Sequence, residues 1–399
     1  MAILGKFWAW AIALLAAIAL FLSSWIVVPA PTMFFLPLGV GAPEVSPFLL
    51  LIQGVLLGLA LLLKLPSPLK LLIIAMATLG LVLSSLPLLQ VPATVGRAEA
   101  QMQSLGPDYG GQRPPNGQPF LRSRPFALVD LLRGLRSGAI APERQTVMTP
   151  DGAALALDIY QPPGSPGLHP AIVTIYGGAW RQGAPGATAR FSSYMAAQGY
   201  TVFAIDYRHA PEHRFPTQIE DVQAALAWTR DRAATYSVDP SRMALVGWSA
   251  GAHLAMLAAY GPGDLPMRAV VSYYGPVNLA AGYYDPPVPD PINTTAVLES
   301  FLGGDPEQLP DLYQQASPIF AVRPGLPPTL LIYGQRDHLV QLSYGQQMYE
   351  RLTSSGNPAA LIAIPWAEHA FDAVFRGPGN QIALYYTERF LAWALRPAP

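Results

Sequence analysis

Ser249 lies at the centre of Gly247-Trp248-Ser249-Ala250-Gly251, between a short apolar run over 243–246 and a helix-forming stretch over 253–259. A serine thrust out on a sharp strand-to-helix turn needs neighbours without bulk, since a Cβ beside it would strike the strand or the helix. A serine capping an ordinary helix has the same local appearance. The hydroxyl is a weak nucleophile until a base takes its proton and a third group orients that base. Two downstream loops supply both. The apolar run 329–334 delivers Asp337, and the run 360–365 delivers Glu368-His369. His369 is then the expected general base, and Asp337 the carboxylate that holds its imidazole.

Upstream, the buried-strand pattern of 171–176 runs directly into Gly177-Gly178-Ala179-Trp180. Adjacent glycines let the backbone approach a substrate closely, so this turn, Gly177 to Ala179, is the expected oxyanion site. The N–H groups of Gly178 and Ala179 would join that of Ala250. Each such donor is worth roughly 3–4 kcal/mol in a working site. A plain glycine turn leaving a strand is the simpler alternative. Other histidines compete less well for the base. His209 and His213 are four apart, but Pro211 between them argues against a helical metal pair and no ligand cluster accompanies them. His253 sits one turn after the serine, His338 adjoins the acid on its own loop, and His169 precedes a strand.

The elements that must position these groups follow from pattern. Residues 145–148 and 154–160 read as an opening antiparallel pair. The runs 171–176, 201–205, 243–246, 269–273, 329–333 and 361–364 read as parallel strands, with helical stretches such as 219–234 and 344–354 between them. This alternation calls for an α/β class, a mostly parallel sheet with helices on both faces. The proline-rich stretch 278–326 interrupts it as a cap-like insertion. Its Tyr283 and Tyr284, with Trp180 and Trp248 of the glycine motifs, are expected to line the substrate pocket.

From about residue 144 to 396 the chain resembles the esterase branch of the α/β-hydrolase superfamily related to hormone-sensitive lipase. The matching motifs are Tyr176 to Trp180, the run Asp206-Tyr207-Arg208-His209-Ala210-Pro211-Glu212, Gly247 to Gly251, Asp337 and His369. That branch usually opens its oxyanion motif with His-Gly-Gly. Here Tyr176 stands in the histidine position, and Ala179 where many members have glycine. Backbone donors survive both changes, so the departures bear on loop shape and substrate fit. The resemblance implies an α/β-hydrolase fold. It also implies that Tyr207 to Glu212 shapes the inner face of the site.

At 399 residues, with 51% hydrophobic and only 12% charged, the chain is longer and more apolar than one such domain needs. The excess lies before residue 92. Three runs, 7–28, 47–63 and 71–91, are spanning candidates without an ionisable residue, the second close to the lower length limit of about 17. Trp8, Trp10 and Trp25 would mark interfaces. Gly54 and Gly58 form a small-x-x-x-small pair that would allow close helix contact. Lys6 precedes the first run and Lys64 and Lys70 flank the second loop, whereas 30–46 carries no Lys or Arg. The amino terminus is therefore expected in the cytoplasm and the catalytic domain across the membrane, periplasmic or extracellular. The expected division is a transmembrane anchor over 1–91, an exposed linker over 92–124 containing Gly110-Gly111, and the hydrolase over 125–399. A short helix over 126–135 would pack on the hydrolase or lie on the membrane surface.

Lys and Arg total 24 against 25 for Asp and Glu, which gives no electrostatic case for nucleic acid. With no cysteine, disulfides, thiolate catalysis and cysteine metal sites are excluded. No cofactor or metal is expected. The expected function is a membrane-anchored serine esterase or lipase acting on small-molecule or lipid esters through an acyl-enzyme. A membrane-tethered acyltransferase using the same residues, a silent anchored binding protein and a peptidase are the alternatives.

Overall fold

The computed structural model describes residues 2–397 apart from 107–108, 110–112, 118, 136–138, 165–166 and 262–265. Gly110 and Gly111 of the expected linker lie outside the described residues. The amino-terminal part forms helices α1 (Ala2–Ser24), α2 (Leu36–Glu44), α3 (Ser46–Leu62) and α4 (Ser67–Gln103), followed by the short α5 (Leu128–Arg133).

Eight strands then form one sheet: β1 (Glu143–Met148), β2 (Ala154–Tyr160), β3 (His169–Ile175), β4 (Thr201–Ile205), β5 (Val238–Trp248), β6 (Ala269–Tyr273), β7 (Thr329–Gly334) and β8 (Ala359–Ile364). Their spatial order is β1-β2-β4-β3-β5-β6-β7-β8. The first pair is antiparallel, β2 runs antiparallel to β4, and β3 to β8 are mutually parallel. β3 is buried at every position, which is why it reads as an unbroken apolar run rather than an alternating one. Between and after the strands come α6 (Ala189–Ala196), α7 (Thr217–Asp231), α8 (Ala250–Tyr260), α9 (Leu279–Tyr284), α10 (Thr294–Leu302), α11 (Pro310–Gln315), α12 (Leu342–Ser354) and α13 (Pro378–Ala394). α9, α10 and α11 make up the insertion over 278–326.

The linker expected from residue 92 starts as helix. α4 continues through Pro87 and Pro92 to Gln103. Its positions 91, 94, 98 and 102 are buried at helical spacing, with Val91, Ala98 and Met102 in the core around the sheet. Gln101 accepts from Leu361 N (3.2 Å) at β8, and Val95 O accepts from the Tyr386 hydroxyl (3.1 Å) on α13. Tertiary packing thus carries the helix past prolines that would end it in isolation. The first half of α4 instead packs with α1 and α3 in a separate core of Ala9, Ala16, Ala60, Ile73 and Ala77.

Among the described helices α4 alone is long and apolar enough to cross a membrane; α2 with α3 would pass only as one span broken by a 76° bend. α3 has 17 residues, about 26 Å of helix against a hydrocarbon core of about 30 Å. Gly54 and Gly58 make no close helix contact, since a Cβ at either meets nothing within 4 Å. The tight approach is at Gly80, whose missing side chain leaves room for Gln53. Residues 36–44, between the first two candidate spans, are helical. The helix expected over 126–135 is α5, which buries Leu131 and exposes Leu128 and Leu132, while the flanking Phe126 and Leu135 pack on the core around the sheet. Arg122, paired with Asp130 (3.0 Å) and Gln381 (2.9 Å), fixes it there.

Candidate active site

Ser249 stands between β5 and α8 at φ 51°, ψ −121°, a conformation L-residues seldom adopt. The neighbouring glycines make it possible. A Cβ on Gly251 would collide with the carbonyl oxygens of Ile175 and Tyr176, and one on Gly247 with the backbone of Gly251. The turn is pinned by Ser249 N donating to Tyr273 O (2.9 Å), so the hydroxyl projects beyond the carboxyl ends of the strands.

Asp337 and His369 arrive from the ends of β7 and β8. His369 Nε2 lies 3.0 Å from Ser249 Oγ, and His369 Nδ1 lies 2.8 Å from Asp337 Oδ2. The other carboxylate oxygen, Oδ1, accepts from the amides of Leu339 (2.8 Å) and Val340 (2.7 Å). Burial raises Asp337 above the usual carboxylate range, but the His369 ring and these amides favour its ionised form, which calls for a proton on Nδ1 and leaves Nε2 free to accept the serine proton. Burial works against a charged imidazole at His369, but the Asp337 carboxylate outweighs it and holds the ring above the usual histidine range.

Groups with no sequence signal of their own hold these three. Glu368 accepts from His338 N (2.7 Å), His338 Nδ1 (2.5 Å) and His369 N (2.9 Å), so one buried carboxylate ties the acid's loop to the base's loop. The Tyr274 ring lies 4.4 Å from the His369 ring, and its hydroxyl donates to half-buried Asp372.

Gly177, Gly178, Ala179 and Ala250 line the same cavity as Ser249 and His369, a space of about 980 Å³. Gly178 (φ 141°), Ala179 (φ 55°) and Trp180 (φ 57°) form a turn in the left-handed region. Ala250 opens α8, where amides have no preceding carbonyl to bond. Tyr176 is buried under this turn; its hydroxyl donates to Asp206 (2.5 Å) and meets His209 Nε2 (2.9 Å), and its ring stacks on Tyr207 at 4.5 Å. The Tyr207 to Glu212 segment therefore braces the turn from within.

Of the residues expected to touch substrate, Trp180 and Trp248 line the cavity. Trp180 is also fixed from behind, stacked on Phe301 (4.2 Å) and donating to His253 Nδ1 (3.2 Å). Tyr283 and Tyr284 do not belong to the lining. The cavity face of α9 carries Leu279 and Gly282, one turn apart, which leaves the two tyrosines on other faces. Tyr283 donates to Glu299 (2.7 Å), and Tyr284 is exposed. His253 donates from Nε2 to Ala316 O (2.6 Å), and burial lowers it to about 4, so it stays neutral as a packing residue. Among the described residues no cluster of His, Asp and Glu could hold a metal, His209 and His213 included.

Residues 157–352 match the BD-FAE family. Esterase LipC of Mycobacterium tuberculosis is 33% identical over 246 residues, 57% of this chain and 60% of LipC. The matched part thus spans less than two thirds of that relative. Esterase LipQ of the same organism is 30% identical over 291 residues, covering 68% of each chain. Among solved structures, a bacterial heroin esterase is 26% identical with a TM-score of 0.60, over 68% of this chain and 89% of its own.

Proposed function

The chain belongs to the α/β-hydrolase esterases, and on that premise we propose that it is a membrane-anchored serine esterase hydrolysing carboxylic esters through an acyl-enzyme at Ser249. The observation that carries the reading is one imidazole bonded at once to a serine on a strained turn and to a buried carboxylate. His369 Nε2 takes the Ser249 proton as Oγ attacks the ester carbonyl carbon. The carbonyl oxygen gains charge among the amides of Gly178, Ala179 and Ala250, with Gly177 giving the backbone room to approach. Collapse breaks the bond to the alkoxy group, which leaves as alcohol with the proton from His369. Water then gives a proton to His369 and attacks the acyl carbon; the bond to Oγ breaks, His369 returns that proton to Oγ, and the acid departs with Ser249 restored. Asp337 keeps the ring in the required tautomer and stabilises its cation. The relatives, named as esterases, favour water over another acceptor.

Anchoring is supported by the outward apolar faces of α1, α3 and α4. With three crossings, residues 63–66 lie at the far end of the bundle, and the hydrolase sits with the 25–45 segment on the side opposite Lys64 and Lys70. By charge bias that side is extracytoplasmic. Ser249→Ala should lower turnover of a short acyl p-nitrophenyl ester by roughly 10⁴-fold or more. Activity unchanged in a folded Ser249→Ala protein refutes the assignment.

A further inference from the structure

The segment between α1 and α3 reaches the active-site cavity. Met33 and Leu36 are part of its lining, opposite residues of the hydrolase. Leu36 also belongs to an apolar cluster with Trp25, Ile26, Ala30, Val40 and Leu49, which Leu339 of the acid's loop joins.

Polar ties fix the segment to both catalytic loops. Arg336, beside Asp337, donates to Val27 O. Glu44 is buried and accepts from Trp366 Nε1 (3.1 Å), three residues before His369, and from Gly379 N (2.7 Å) at the start of α13. A side chain on Gly377 or Gly379 would run into that carboxylate, so the chain there is shaped to receive it. Such placement is more than an anchor needs.

This end of the bundle is also apolar outward: Val27, Val28, Met33 and Phe34 are exposed, Phe34 at 82%. Ser24 ends α1 and Ser46 begins α3 at this end, and α4 leaves the bundle here for the hydrolase. Met33 therefore belongs both to the cavity lining and to the exposed apolar end of the bundle.

We propose that residues 25–45 form the membrane-side wall of the substrate cavity, and that the ester taken up is lipid-soluble, with a long apolar chain that enters from the bilayer past Met33 and Leu36. The proposal rests on the esterase reading of Ser249. The long chain leaves hydrocarbon for a cavity lined by Met33, Leu36, Leu279, Leu298 and Leu339, so its transfer costs little, while the polar ester group moves up to Ser249. A short, water-soluble ester has no use for that wall.

The test uses the full chain in phosphatidylcholine vesicles, with p-nitrophenyl dodecanoate dissolved in the bilayer and p-nitrophenyl acetate in the water. In Met33→Glu the ratio of kcat/KM for dodecanoate over acetate should fall about tenfold. Met33 is 48% exposed, so its replacement leaves packing intact; Leu36→Ala, which removes apolar wall, gives a second reading in the same direction. The wild-type rate on dodecanoate should follow its mole fraction in the bilayer. A ratio unmoved by both variants, or a rate following total concentration at fixed mole fraction, overturns the proposal. Ser249→Ala run alongside separates the two failures, because turnover retained there removes the esterase reading whatever the ratio does.

Discussion

In the helical bundle, from residue 8 to about 90, many large apolar side chains point outward and the interior is rich in alanine beside Leu56 and Ile73; in the hydrolase, large apolar side chains fill the interior. Trp10, Leu14, Val55 and Leu71 are more than half exposed, whereas Ala9, Ala16, Ala60 and Ala77 are fully buried. In β3, Ile172, Val173 and Ile175 are fully buried along with Ala171. Buried polar groups differ as well. Between α1, α3 and α4 they are neutral, Ser23 to Ser84 (2.9 Å) and Gln53 to Ser23 (3.5 Å), while the hydrolase buries carboxylates around its site. Where water surrounds a domain, burying large apolar groups drives folding. Where hydrocarbon surrounds helices, that drive vanishes, and close backbone approach with a few hydrogen bonds takes its place. α4 joins the two parts, its first half packed with α1 and α3 and its second half in the hydrolase core.

The largest effect expected from breaking this contrast comes at the hydrolase's buried charge. Asp337→Asn should lower kcat roughly 10⁴-fold by allowing the wrong tautomer of His369. The residual activity carries a second signature. His369 must be neutral to act as base, so activity falls as pH drops through its pKa, which Asp337 holds above the ordinary 6.5. In wild type the acid limb should therefore lie above that value, and in Asp337→Asn it should move to lower pH. A pH–rate profile with an unmoved limb would assign the limb to another group.

A smaller effect separates two meanings of exposure. Val55 on α3 is 54% exposed and Leu168 before β3 is 62% exposed. In a bilayer, Val55→Asp should disfavour insertion by about 3 kcal/mol, whereas Leu168→Asp in water should cost within about 0.5 kcal/mol. Membrane recovery and thermal unfolding of the two variants read this, and equal responses would remove the distinction. The smallest effect is at two glycines. Gly80→Ala must displace the buried Gln53 side chain and should cost about 1 kcal/mol, while Gly54→Ala meets nothing and should gain about 0.5–1 kcal/mol from helix propensity. Thermal denaturation in detergent would show the opposite signs.

The fold was legible because the parallel strands are buried apolar runs, each ending where a loop begins. Ser249, Asp337 and His369 could be named for the same reason, since each follows such a run. Their supports could not. Glu44 meets Gly379 from 335 positions away, with no local pattern to mark it. The expected linker over 92–124 begins as helix because tertiary burial along α4, which no local pattern marks, outweighs Pro87 and Pro92. Tyr283 and Tyr284 were read from residue type alone, and the cavity face of α9 is set by which side packs, a matter of helix rotation. Glu368 adjoins His369 in sequence, yet its bond to His338 arises only when β7 and β8 lie side by side.

The most direct measurement is covalent labelling of the full chain with a fluorophosphonate, followed by peptide mass spectrometry in wild type and in a folded His369→Ala variant. The account predicts a single phosphonylated site at Ser249 in wild type and loss of nearly all labelling in the variant. No adduct at Ser249, or labelling that is indifferent to His369, would contradict it.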